Sequence, residues 1–239
     1  MSQSVLVIKA QVNAEFAEQF NRAGFSLIVA PVMTIHPLFY PPAYVQHCLA
    51  NSDIIICLSQ NAVKQLYYYQ GQLNHQAEVW AVGKQTANKL ACYLGEVNSP
   101  ALETSEGLWQ CLREKISSGT RITFIKGAGG RDSLMNYLTQ KGARLTQLNL
   151  YQRLENTSQR AQILKSIEVN QANTAIIGSK DLLDIAITWW PDSLPLKQII
   201  VPSERVALRA QQLGLNRVTV AEGATADRYL AVLQDRKSA

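Results

Sequence analysis

No stretch of this 239-residue sequence approaches the roughly 18 consecutive apolar residues that a membrane-spanning helix needs. The first apolar run, Val5 to Ile8, is too short for the core of a secretion signal and is closed by Lys9, so residence in the cytoplasm is expected. Cysteine and histidine are scarce. Cys48, Cys57, Cys92 and Cys111 stand far apart in apolar settings, and His36, His47 and His75 follow no ligand spacing. A metal site is therefore not expected, and the thiols read as free and buried in a reducing compartment. Charged residues make up only 17% of the chain and form no block of one sign, which argues against a disordered tail. A basic run interleaved with aromatics, the usual footprint of nucleic-acid binding, is also missing. So are a Ser/His/Asp or Cys/His nucleophile arrangement and a conspicuous pair of carboxylates. An enzyme built from this sequence works largely by positioning its substrate.

What is present is an alternation. Short apolar runs recur at residues 5–8, 26–32, 53–58, 78–82, near 97, 121–125, 143–151, 174–177, 198–201 and 217–221. Helix-period stretches lie between them, near 14–23, 61–70, 84–94, 105–116, 132–141, 158–168, 180–190, 204–213 and 225–235. Phe16 and Phe20, four apart, share the buried face of the first, and Gly24, Gly71, Gly95, Gly142, Pro191 and Gly214 stand where helices should stop. Strand and helix in alternation predict an α/β fold with parallel sheets covered on both faces. About ten strands exceed what one open sheet of this size carries, so two sheets of about five are expected. The runs 26–32 and 143–151 are the longest, and each abuts a change of character: Pro37 to Pro42 after one, Gln152 to Gln159 after the other. They are the natural inter-domain connections. Whether the halves are consecutive or one is inserted in the other stays open at this point.

Ligands of doubly wound sheets bind beyond the carboxyl ends of the strands. Those ends read Lys9, Ser59, Gly83, Lys126 with Gly127, Ser179 with Lys180, and Ser203. Small, polar and basic residues suit carboxylates or phosphates, and the net charge of +5 fits either an anion-binding cleft or an ordinary surface excess. The segment from Lys126 to Asp132, with Gly127, Gly129, Gly130 and Arg131, could cradle an anion or simply form a turn. It is neither a dinucleotide fingerprint nor a phosphate loop, since Asp132 holds the third glycine place and no Gly-Lys-Ser/Thr ending follows. Ser59 and Ser179 each follow an apolar strand and open a helix, where N-capping accounts for them as well as ligand binding does. Thr86 could turn its hydroxyl to the cleft or into its own helix. A receiver-type phospho-acceptor would need acidic strand ends where Lys9 and Ser59 stand.

Several stretches together resemble the uroporphyrinogen-III synthase family. DIIICLSQNAV (Asp53 to Val63) resembles its strand–serine–helix motif, and WAVGKQTANKL (Trp80 to Leu90) its Val-Gly-x-x-Thr-Ala motif. Ile122 to Arg153 resembles a Gly-Gly-Arg turn followed by Gly-Ala and a closing Tyr-x-Arg. Val201 to Leu233 resembles a Ser-Glu-Arg helix and an Ala-Thr-x-x-x-Leu end. The order and spacing of the four, over nearly the whole chain, carry the specificity. The sequence departs from the family where Ile8-Lys9-Ala10 replaces Thr-Arg-Pro, and where Leu58 and Gly178 stand in place of common threonines.

The resemblance implies two flavodoxin-like parallel-sheet domains joined by a two-strand linker, residues 36–152 being inserted into a domain formed by 1–35 and 153–239. It implies a hinged pair of domains that closes on substrate and needs no cofactor. The sequence itself shows no oligomer signal, so a monomer is expected, with neither nucleic acid nor a membrane as partner. The implied substrate is hydroxymethylbilane, a linear tetrapyrrole with acetate and propionate arms. Loss of its terminal hydroxyl leaves an azafulvene, and closure through the substituted carbon of the last pyrrole inverts that ring. Substrate binding is expected from Lys9, Ser59, Thr86, Lys126, Gly129, Gly130, Arg131, Ser179 and Ser203. Tyr151 matches the closing tyrosine and is the candidate proton donor to the departing hydroxyl, since phenols, with pKa about 10, are protonated at neutral pH. A tyrosine that merely packs the linker fits the same position. The rival class is a two-domain protein that clasps an anion without reacting, and a nucleotide-dependent transferase lacks its fingerprint.

Overall fold

The computed structural model describes residues 3–10, 12–70, 73–130, 133–190 and 196–235. The chain divides into two compact units, one formed by Met1–Thr34 with Glu155–Ala239 and the other by Ile35–Leu154.

In the first unit, β1 (Gln3–Ile8) leads to α1 (Ala14–Arg22) and β2 (Phe25–Val29). Asn13 caps α1 by accepting from the Phe16 amide at 2.9 Å. Phe16 and Phe20 stack at 4.8 Å on its buried face, as their spacing predicts. The chain re-enters this unit to add α7 (Arg160–Val169), β8 (Thr174–Ile177), α8 (Lys180–Trp189), β9 (Gln198–Val201), α9 (Glu204–Gln212), β10 (Val218–Val220) and α10 (Ala226–Asp235). The sheet order is β2-β1-β8-β9-β10, with all four neighbouring pairs parallel. β8 and β9 are buried along their whole length. That is why their runs are continuously apolar rather than alternating.

The second unit is entered along β3 (Met33–Pro37) and left along β7 (Arg144–Glu155), two neighbouring strands that each cross the boundary between units. Between them come α2 (Pro42–Ala50), β4 (Ile54–Cys57), α3 (Gln60–Gln65), β5 (Glu78–Ala81), α4 (Lys84–Leu94), α5 (Ser105–Leu112), β6 (Arg121–Gly127) and α6 (Ser133–Gln140). The sheet order is β3-β7-β6-β4-β5, and the β4–β5, β4–β6 and β6–β7 pairs are parallel. Two flavodoxin-like sheets of five strands result. Each has apolar clusters on both faces, one built around Leu183 and Trp189 and one around Phe20 and Tyr229 in the first unit. In the second, Leu49 and Leu90 centre one cluster and Leu108 and Phe124 the other.

Three expectations need correction. The run 26–32 does not continue as one strand: β2 stops at Val29, and the chain resumes as β3 at Met33. The proline-rich passage leads from β3 into a helix that was not expected there, α2, with Pro42 at a first-turn position where the missing N–H costs nothing. No strand forms near Val97. Asn98 makes a single bridge to Trp80, exchanging 2.8 Å backbone bonds with Val79 and Ala81.

Candidate functional site

Both sheets change winding direction at one place. In the first unit β1 and β8 are neighbours whose following helices serve opposite directions along the sheet, and in the second unit β4 and β6 play these parts. The carboxyl ends at these switch points carry Lys9 and Ser179 in one unit, Ser59 and the glycine turn after Gly127 in the other.

In the second unit the geometry centres on Tyr151. β7 carries a register shift against β6 between Lys126 and Gly127, so that Lys126 pairs with Asn149 but Gly127 with Tyr151. Without that extra residue Leu150 would stand opposite Gly127. The bulge re-aims the tyrosine. Its ring is buried, at 1% exposure, and lies where a Cβ on Gly127 would be. Passing over β6 in this way, the ring brings its hydroxyl to 3.0 Å from Ser59 Oγ, beyond β4. A guanidinium nitrogen of Arg153, two residues further along β7, donates to the same phenol oxygen at 3.0 Å. Ser59 also caps α3, accepting from the Asn61 amide at 3.1 Å.

The other residues of this unit divide by exposure. Gly129 and Gly130 are exposed, with φ of +72° and +101°, a conformation that favours glycine. Thr86, in the first turn of α4, is buried. Lys126 is buried as well, and its ammonium donates to Gln147 on β7 at 3.4 Å rather than standing free at the rim. Arg131 lies outside the described residues. A depression of about 610 Å³ lies at the opposite, amino-terminal ends of β4 to β6, edged by Asp53, Glu78 and Lys115. Ion pairs of Asp53 with Arg121 and of Glu78 with Lys115 engage those charges.

In the first unit Lys9 is half-buried. Its ammonium donates to the Ala224 carbonyl at 2.5 Å and sits 4.4 Å and 5.3 Å from the ring centres of Phe16 and Tyr229. Burial lowers its pKa. Ser179 caps α8 by accepting from Leu182 N at 3.4 Å. Ser203 precedes α9 in an extended conformation and makes no side-chain cap bond, leaving its hydroxyl out of the helix. Among the described residues no cluster of His, Cys, Asp or Glu has metal-site geometry, and no helix is long and apolar enough to cross a membrane.

Sequence reasoning named Tyr151 and Ser59 separately and did not see that they touch. It missed Gly127 and Arg153 as members of the same group. The Tyr-x-Arg spacing held a signal for the second, since residues two apart share one face of a strand.

The family model described as uroporphyrinogen-III synthase HemD matches residues 14–231. The uroporphyrinogen-III synthase of Escherichia coli is 29% identical over 200 residues, covering 78% of this chain and 80% of that protein. The one from Salmonella typhimurium is 28% identical over the same shares. Among solved structures, uroporphyrinogen-III synthetase from Helicobacter pylori superposes with a TM-score of 0.66 at 14% identity, covering 98% of this chain and 99% of that one. A mutant uroporphyrinogen III synthase from Thermus thermophilus does so with 0.63 at 15%, covering the whole of both chains. At such identities the structural likeness speaks for the fold.

Proposed function

Since the chain belongs to the uroporphyrinogen-III synthase HemD family, we propose that it cyclises hydroxymethylbilane to uroporphyrinogen III, releasing water and inverting the last pyrrole. The observation that carries the reading is the family match from residue 14 to 231, which runs through both units.

The reaction asks little of acid–base groups and much of placement. Pyrrole nitrogen supplies the electrons that expel the hydroxyl, and uncatalysed closure joins the free end of the last ring. To obtain the inverted isomer, the protein must hold that ring so that its substituted carbon meets the azafulvene, through a spiro intermediate. The substrate offers carboxylates on every ring as handles. Free N–H groups at the starts of α4, α8 and α9 suit them, each helix being long enough to hold a dipole. Ser59, Gly129, Gly130 and Arg131 in one unit, with Ser179 and Ser203 in the other, are our proposed substrate contacts. Lys9, tied to Ala224 by one of its three donors, keeps the others for a carboxylate. Thr86 and Lys126, both buried, complete the proposed set of contacts. The reading includes a monomer that acts in the cytoplasm without a cofactor.

The test supplies hydroxymethylbilane to the purified protein and separates the product isomers by chromatography after oxidation. The expected result is the type III isomer, formed faster than spontaneous closure. Type I alone, at the spontaneous rate, would overturn the proposal in favour of a protein that binds anions without reacting.

A further inference from the structure

We propose that the proton taken by the departing hydroxyl comes from Ser59, with Tyr151 as the buried relay behind it and Arg153 as the residue that orients the relay. The proposal rests on the reading of the chain as a hydroxymethylbilane-cyclising enzyme.

The direction of the chain follows from which groups can donate. A guanidinium has only donors, so the Tyr151 oxygen accepts from Arg153. The phenol's own proton then has Ser59 Oγ, 3.0 Å away, as its acceptor. Ser59 Oγ already accepts from the Asn61 amide. With the phenol proton it has both lone pairs filled. Its own proton is left to point away from both. The opposite polarity, Ser59 donating to Tyr151, would give the phenol oxygen two donors and leave the phenol proton without an acceptor in the group.

Exposure sets the outlet. Tyr151 is buried among Ile125, Leu148 and Leu150, whereas Ser59 is half-buried at the end of β4. The tyrosine is held off from solvent by the same crossing over Gly127 that brings it to the serine. Of serine and tyrosine, the serine is thus the hydroxyl placed to touch a substrate at the strand ends, and the tyrosine acts through it, while the exposed Arg153 carries no proton it can give up at neutral pH.

The step balances. The carbon–oxygen bond of the hydroxymethyl group breaks with its electron pair going to oxygen, which takes the Ser59 proton and leaves as water. Ser59 takes the proton of Tyr151, leaving a phenolate beside the Arg153 cation and an azafulvenium on the substrate. Closing the ring and restoring its aromaticity releases one proton from the substrate, and this returns along the chain to the phenolate. Water is the sole by-product, and no other reactant is needed.

The experiment measures kcat, KM and the solvent deuterium isotope effect with hydroxymethylbilane, for the unaltered protein and for Ser59→Ala, Tyr151→Phe, the pair together, and Arg153→Gln. A relay predicts that Ser59→Ala and Tyr151→Phe each lower kcat about 100-fold with KM little changed. The pair together should lose no more than either alone, because groups acting as one unit are not additive. Arg153→Gln should lower kcat by about 10-fold, and Arg153→Lys should recover part of the loss, since it restores a cation and a donor. The isotope effect of the unaltered protein should vanish in Ser59→Ala. Ser59→Thr, which keeps the hydroxyl and the cap, should hold kcat within about 10-fold, and serves if the alanine variant folds poorly. A Ser59→Ala protein with undiminished kcat, beside an impaired Tyr151→Phe, would overturn the relay and leave the cyclising activity intact. Failure of the unaltered protein to form type III would overturn both.

Discussion

The phenol ring of Tyr151 occupies the space in which a side chain on Gly127 would stand. The two residues are paired across β6 and β7 at a register shift, and the ring crosses the intervening strand to reach Ser59. Glycine is therefore required here by close approach and not by backbone conformation.

Replacing Gly127 with alanine should displace the ring. Overpacking of this kind costs about 1–3 kcal/mol, and the Tyr151–Ser59 bond should lengthen or break. Urea denaturation measures the first effect, and turnover of hydroxymethylbilane the second. A variant of native stability and full activity would show that the ring has room to shift.

Gly129 presents the opposite case. An added Cβ would meet nothing within 4 Å, but φ is +72°. Gly129→Ala is expected to cost about 1 kcal/mol through the left-handed backbone alone. If the exposed amides of this turn hold a substrate carboxylate, KM should rise several-fold while kcat changes less. A rise in neither would take the turn out of the binding surface.

Tyr229 makes a pH prediction. It is fully buried, its hydroxyl has no hydrogen-bond partner among the described residues, and burial pushes the phenol up to about 12. An unfolded tyrosine ionises near pH ~10. Because the folded value is the higher, the native protein keeps this proton longer than the unfolded chain does. The contribution to stability is complete below pH ~10 and is lost as pH rises through the folded value. Tyr229→Phe should remove that loss. Below pH ~10 it should leave stability unchanged or raise it by up to about 1 kcal/mol, since an unpaired buried hydroxyl is removed. Unfolding curves between pH 8 and 11 check both, and a clear loss of stability at pH 8 would mean the hydroxyl is satisfied.

The alternation of strands and helices was legible because β4, β8 and β9 are buried end to end, so their residues had to be apolar without interruption. β3 was not. Its residues are half-buried or exposed, and no apolar pattern marks a strand that covers so little core. α2 was hidden by Pro41 and Pro42, which read as a change of character after a strand although a proline in the first helical turn is well tolerated. At the candidate site, strand–serine–helix spacing made it legible that Ser59 and Ser179 each follow a strand and cap a helix. The contact of Ser59 with Tyr151 joins residues 92 apart in sequence and depends on a bulge in β7. Neither sequence separation nor composition encodes a register shift.

Ser179 and Ser203 stand at matching places in the first unit, each after a buried strand and before a helix, yet their hydroxyls do different work. Ser179 Oγ accepts from the Leu182 amide, so Ser179→Ala should cost about 0.5–2 kcal/mol by leaving an end of α8 uncapped. Ser203 makes no such bond, its backbone carbonyl alone receiving the amides of Val206 and Ala207. Ser203→Ala should therefore move stability by less than about 0.5 kcal/mol. With the structural role removed, any kinetic effect of the second substitution reports contact with substrate. If Ser203 meets a carboxylate of hydroxymethylbilane, its loss should raise KM several-fold in a protein that unfolds normally. A KM unchanged at undiminished stability would leave only the amides at the start of α9 to hold the anion there.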